Sequence, residues 1–206
     1  LPAPLREAIV LDVGSGQGEY CFGLEKYVKR VVGVEPYKLG FDSAIETRRK
    51  VASKVIFRNT PIENFKTNER FDLALCLTVI EHMSNAEKSF KNIFSLMKKG
   101  GIIYLTAPNK LWPVESHYKL YFLSWLPLPL ASLYMRITGR GHSYDDSSYS
   151  KTYFGMKRFF QGFSCSFRFV LPTRVDEPFM GCGSGGTGYR ILKKIGVKLI
   201  RRFSFF

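Results

Sequence analysis

Apolar residues along the first half of the chain fall in short, nearly unbroken runs. Each run is followed by a stretch in which apolar and polar positions mix. The runs are Ala8–Val13, Val31–Val34, Lys54–Arg58, Phe71–Cys76 and Ile102–Thr106. Short runs rich in Val, Ile and Leu predict strands covered on both faces. The intervening spacing predicts helices over Gly18–Lys29, Leu39–Ala52 and Ala86–Met97. Glu46, Arg48 and Arg49 mark the wet side of the second helix. Lys98-Lys99-Gly100-Gly101 reads as a basic last turn and glycine stop for the third. Strands that alternate with helices predict an α/β fold with a doubly wound, mostly parallel sheet and helices on both faces.

The periodicity breaks after Pro108. Residues 108–150 are rich in Trp, Tyr, Pro and Leu and read as a helical cap inserted after strand five. A helix over Ser150–Gln161, a strand over Ser164–Leu171 and a basic amphipathic tail over Tyr189–Phe206 follow. Gly181–Gly186 is a short linker. It lacks the Gly-Lys-Ser/Thr of a phosphate-binding loop. The expectation is one domain over 1–206: a nucleotide-binding core at 1–107, the cap at 108–150 and a C-terminal part at 151–206.

The candidate chemistry lies at the ends of the first two runs. Val10-Leu11-Asp12-Val13 leads into Gly14-Ser15-Gly16-Gln17-Gly18-Glu19, an acid followed by alternating glycines at a strand-to-helix turn. Glycine permits positive φ and close ligand approach there. The following helix end would offer free N–H groups. A dinucleotide loop wants Gly or Ala at the sixth position from Gly14. That position is Glu19, a negative charge where a pyrophosphate would sit. The loop suits a zwitterionic amino-acid tail instead. Glu35 closes the second strand, where a carboxylate can accept both hydroxyls of a ribose.

These residues, with Leu77-Thr78-Val79-Ile80-Glu81-His82 after strand four, resemble the Rossmann-like class I S-adenosylmethionine (SAM) methyltransferases of the type 11/12, ubiquinone-biosynthesis kind. The resemblance covers about half the chain. It implies SAM as cofactor, with Asp12 near the ligand's ammonium, Gly14, Ser15, Gly16 and Gly18 around its methionine part, and Glu35 with Pro36 at the ribose. It further places Asn59, Thr60 and Ile62 at the adenine, and Leu77 and Thr78 near the sulfonium. Many relatives carry Asp where Asn59 stands; Asn accepts through its carbonyl, without charge. Relatives with Glu-x-x-Glu-His bind a divalent ion. Here Thr78 replaces the first Glu, so Glu81 and His82 are read as loop-orienting groups and no metal is assigned. Because the first strand begins so early, the N-terminal helical segment that covers the cofactor in relatives is expected to be missing or reduced.

Pro108–His117 and the aromatic stretch after it resemble a subset of the type 11 enzymes. His117 is the candidate general base, since its pKa lies near neutrality. The competing reading is that Glu115 and His117 pin the cap by hydrogen bonds. Tyr118 and Tyr121 are expected to line the acceptor pocket or to pack the cap. His142 reads as an exposed loop residue.

Charge extends the picture to partners. The chain carries 31 Lys and Arg against 17 Asp and Glu, a formal net charge of +14. Such an excess favours polyanions, either RNA or an anionic membrane surface. Four cysteines without zinc-like spacing predict reduced thiols and a cytoplasmic protein, in peripheral membrane contact if the basic tail lies on lipid. The expected acceptor is a hydroxyl or carboxyl on a hydrophobic or glycolipid-like small molecule. An RNA methyltransferase and a non-catalytic SAM-fold binding module are the alternatives.

Overall fold

In the computed structural model, which describes residues 1–170, the five apolar runs become five strands of one parallel sheet. They are β1 (Ile9–Val13), β2 (Arg30–Val34), β3 (Ile56–Arg58), β4 (Phe71–Leu77) and β5 (Met97–Thr106). The order is β3-β2-β1-β4-β5. The chain steps outward from β1 on one side and then restarts beside β1 on the other. Ligands in open α/β sheets bind at such a switch point, beyond the carboxyl ends of the strands. Asp12 lies there, level with Gly33 on β2 and Leu75 on β4.

The connections are α1 (Glu19–Glu25), α2 (Lys38–Lys50) and, between β4 and β5, α3 (Ala86–Leu96). Val10, Val31 and Leu75 pack with Cys21 of α1 and Ala44 of α2 in one core. Leu11, Val13, Val32 and Val34 point to the opposite face by strand alternation and are buried too. Both faces are therefore covered, as unbroken apolar strands require.

Leu1–Ala107 forms one compact unit, and the described residues from Pro108 onward, 108–170, belong to another. The second unit has its own core of Leu120, Leu123, Ala131, Met135 and Tyr144. Its helices are α4 (Leu128–Ile137) and α5 (Tyr153–Gln161).

Several boundaries differ from the sequence reading. α1 begins after Gly18, whose φ of +86° is left-handed, and ends at Glu25 rather than Lys29. α5 starts at Tyr153, where the Thr152 side chain accepts from Gly155 N–H at 3.0 Å. The strand expected over Ser164–Leu171 does not form over its described residues. Phe163, Phe167 and Phe169 instead stack on Phe159, Phe160 and Tyr153 of α5. Aromatic packing on a helix has replaced a ladder. The Gly181–Gly186 linker and the Tyr189–Phe206 tail lie outside the described residues.

The basic glycine stop is also corrected. α3 ends at Leu96 and Met97 is already extended. Lys98–Gly101 belong to β5, where the register jumps from Phe71↔Met97 to Leu73↔Ile102. The excursion carries Lys98 to Asp72, a fully buried carboxylate. Its two oxygens accept from Lys98 Nζ at 2.9 and 2.8 Å, and Oδ2 also accepts from Ile9 N–H at 2.9 Å. Burial alone would push this carboxyl up, but the Ile9 N–H and the Lys98 ammonium outweigh it and hold it below its usual range. The contribution is present at neutral pH and is lost as pH falls through the lowered pKa. Lys98→Ala would strand the charge. We expect a loss of about 1–3 kcal/mol in denaturant unfolding, less than for a fully buried pair because Lys98 is partly solvated. Ligand binding at the switch point should not change, since the pair sits at the strand ends remote from Asp12.

Candidate cofactor site

A cavity of about 330 Å³ opens at the switch point, lined by Asp12, Gly14, Ser15, Gly16, Gln17, Glu19, Tyr20 and Leu77. β1 delivers Asp12, the glycine turn delivers the next residues, and Leu77 closes β4. Gly14, Gly16 and Gly18 all have positive φ, at 69°, 52° and 86°. At Gly14 the demand is also steric: a Cβ would stand 2.7 Å from a Val79 methyl. The turn thus needs glycine for its backbone and for the approach of the post-β4 loop.

Asp12 is 2% exposed and has no cationic partner among the described residues. Its Oδ2 accepts from the Cys21 thiol at 3.1 Å. Burial pushes its carboxyl up to about 6; the thiol opposes this and the charge of Glu35 adds to it. Cys21 in turn is held protonated, its pKa raised by burial and by Asp12. The cavity lining holds two carboxylates, Asp12 and Glu19, and neither Lys nor Arg. Such a site favours a cationic ligand head and disfavours a pyrophosphate.

Glu35, buried at the end of β2, clamps the rim. Oε2 accepts from Gly16 N–H at 2.7 Å, and Oε1 accepts from Tyr37 N–H at 2.8 Å. Each oxygen keeps a lone pair for a hydroxyl. Asn59 donates its amide to the carbonyls of Glu35 at 2.8 Å and Pro36 at 3.1 Å. Thr60 is half-buried and Ile62 is buried. Ser15 is 8% exposed, and its hydroxyl has no hydrogen-bond partner among the described residues. A buried hydroxyl left this way at a cavity wall calls for a ligand or water. Thr78, next after Leu77, adopts φ +53°, a strained state for a β-branched residue. Its N–H donates to the carbonyl and hydroxyl of Thr106, which hold it there.

The expected cofactor residues converge only in part, and Gly18 and Thr60 are not in the cavity lining. Asp12, Gly14, Ser15, Gly16 and Leu77 share one cavity, Glu35, Pro36 and Asn59 are bonded to its rim, and Thr78 adjoins it. An uncompensated buried carboxylate, an unpartnered hydroxyl and a second carboxylate with free lone pairs fit a ligand bearing an ammonium and ribose hydroxyls. Gln17, Glu19 and Tyr20 line the cavity without having been assigned to it from sequence; their place in the first turn after the loop was the available signal. Gly33 was missed as well. A Cβ there would meet the Phe57 ring at 2.7 Å and the Ser15 hydroxyl at 2.8 Å. An isolated glycine inside a strand signals such a close approach.

Glu81 is fully buried and His82 exposed in the single 3-10 turn after β4. His117 belongs to the second unit. There Glu115, 5% exposed, pins the loop: its Oε2 accepts from the N–H groups of His117 at 2.8 Å and Tyr118 at 2.6 Å. A Val114–Tyr121 bridge closes the base of the loop. Glu115 therefore does the anchoring, and the His117 side chain is exposed. His142 is exposed, as read from sequence.

The fold and cavity define a nucleotide-binding domain of the Rossmann-like class. Residues 1–151 match the methyltransferase-domain family, and the chain belongs to it. It is 29% identical over 121 residues to a ubiquinone biosynthesis O-methyltransferase of Bradyrhizobium diazoefficiens, covering 57% of this chain and 48% of that protein. A Rickettsia canadensis protein of the same name is 27% identical over 124 residues, at 57% and 51% coverage. The chain thus spans about half the length of the curated relatives it matches. Among solved structures, the YcgJ protein of Bacillus subtilis superposes with a TM-score of 0.57 at 18% identity, over 76% of this chain and 61% of that one, a likeness of fold.

Proposed function

We propose that the protein transfers the methyl group of SAM to an oxygen, a hydroxyl or carboxyl, of a hydrophobic small molecule. The buried Asp12 carboxylate, without a cation and facing a cavity at the switch point, carries the reading. Asp12 would pair with the ammonium of the cofactor, Glu35 would accept from its ribose hydroxyls, and Ser15 would meet its polar tail. SAM supplies a methyl group already activated by the sulfonium. The protein's own contribution is then chiefly to hold the acceptor in line and exclude water. The names of the relatives support an oxygen acceptor. His117, exposed on a loop that Glu115 fixes, is the proposed base for the acceptor proton.

The test incubates the protein with methyl-labelled SAM and a total cell extract, then partitions the products. Label in the organic phase is expected, stable to mild base for an ether and labile for an ester. Label in RNA instead would replace the acceptor class. With an acceptor in hand, His117→Ala should lower kcat about a hundredfold and leave SAM affinity unchanged. Full activity in that variant would remove the base.

A further inference from the structure

Between Phe122 and Ile137, six large apolar side chains face solvent: Phe122, Trp125, Leu128, Leu130, Leu133 and Ile137, from 40% to 76% exposed. Three of them form a stripe on α4. Leu130, Leu133 and Ile137 are spaced i, i+3, i+7, which at 3.6 residues per turn sets them within an arc of about 60°. On the other side of the same helix, Ala131 and Met135 are fully buried in the unit's core. α4 is apolar on two faces, and only one is covered. A surface helix of a soluble unit ordinarily turns polar residues outward. Next to the helix's first turn, the Phe122 and Trp125 rings meet edge to face at 4.8 Å, each about half exposed.

The charges within the segment that carries this stripe have one sign; the flanking carboxylates Glu115, Asp145 and Asp146 lie just outside it. From Ser116 to Tyr144 the chain has Lys119, Arg136 and Arg140 and no Asp or Glu. All three cations are exposed. We propose that this face docks on an anionic lipid bilayer, with α4 lying in the plane of the interface. Leu130, Leu133 and Ile137 enter the acyl boundary, Phe122 and Trp125 sit at headgroup depth, and the three cations meet lipid phosphates. Charge selects this occupant. A second copy of the face would bring like charges together. The chain's own C-terminal stretch, with Lys193, Lys194, Lys198, Arg201 and Arg202, is equally cationic in sequence. An anionic bilayer satisfies the apolar stripe and the basic belt at once. The attachment is peripheral: no described helix is long and apolar enough to cross a membrane. The inference needs no cofactor and stands apart from the methyl-transfer reading.

The test uses the full chain and vesicles of phosphatidylcholine, with and without phosphatidylglycerol, read by co-sedimentation. Binding to the anionic vesicles is expected. The triple variant Leu130→Ser, Leu133→Ser, Ile137→Ser should lower that partitioning about tenfold or more. Its thermal unfolding should not change, since the three side chains support no core. Arg136→Glu with Arg140→Glu should abolish the preference for phosphatidylglycerol, and this second variant decides the question if the first folds poorly. In Trp112→Phe, which leaves Trp125 as the single tryptophan, emission should shift to the blue on anionic vesicles alone. Three outcomes would each overturn the proposal. They are no binding by the unmodified chain, undiminished binding by both variants, and loss of self-association in the triple variant without loss of lipid binding.

Discussion

Asp12→Asn is expected to stabilise the ligand-free protein while weakening SAM binding about a hundredfold. The carboxyl is 2% exposed, and burial lifts its pKa from 3.8 to about 6. Between those values the folded chain holds a proton that the unfolded chain has released. Stability therefore falls as pH rises through that window, and the whole penalty is in force at neutrality. A shift of this size corresponds to at most about 3 kcal/mol. The neutral amide removes that penalty and can still accept from the Cys21 thiol. It also removes the charge that an ammonium would meet. In the unmodified protein, SAM affinity should be flat above about pH 6 and fall roughly tenfold per unit below it, as Asp12 takes up a proton. In Asp12→Asn the profile should be flat throughout. Thermal unfolding and calorimetric titration from pH 5 to 8 read both effects. An unchanged melting temperature together with unchanged affinity would remove Asp12 from the site.

Glu35→Ala should weaken SAM binding at least as much, for a different reason. The carboxylate accepts from Gly16 N–H and Tyr37 N–H, so it fixes the glycine turn and the start of α2 besides its proposed part in meeting the ribose. Its loss leaves those two donors without their acceptor and would take away the proposed bonds to two hydroxyls. Hydrogen bonds to a charged group are worth about 1.5–3 kcal/mol each, so a hundredfold or greater loss of affinity is expected, with a modest loss of stability. Glu35→Gln keeps one acceptor oxygen and should fall between. The comparison with Lys98→Ala is informative, because that variant should lose stability without losing affinity. Wild-type affinity in Glu35→Ala would end the cofactor assignment.

The parts of this fold that were legible in sequence are those in which local pattern and tertiary demand coincide. The runs of β1, β2 and β4 are apolar because both faces are covered. Gly14, Gly16 and Gly18 are glycine because the turn needs positive φ, and Glu35 ends a strand at the site. What was not legible depends on partners distant in the chain. Lys98 looks like a helix-terminal cation until Asp72, 26 residues earlier, is seen to draw it into β5. The phenylalanines after α5 alternate like a strand, yet they find one another's rings first. Glu115 reads as a partner of His117 in pinning the cap, and only the structure shows its carboxylate holding the loop's own N–H groups, that of His117 among them. Gly33 shows its purpose only when Ser15 and Phe57 arrive beside it.

If Asn59 meets the adenine, as the resemblance implies, its amide has a consequence for which bases the site accepts. Both of its N–H groups point at carbonyls, those of Glu35 and Pro36, so the side chain has only its oxygen left to offer a ligand. A purine edge bearing an exocyclic amine can donate to that oxygen. An edge bearing a carbonyl would face it oxygen to oxygen. The deaminated, hypoxanthine form of the cofactor should therefore be refused, although it differs from the adenine form by a single group. Discrimination of that kind comes from a side chain whose donors are already committed to the backbone, with no charge involved.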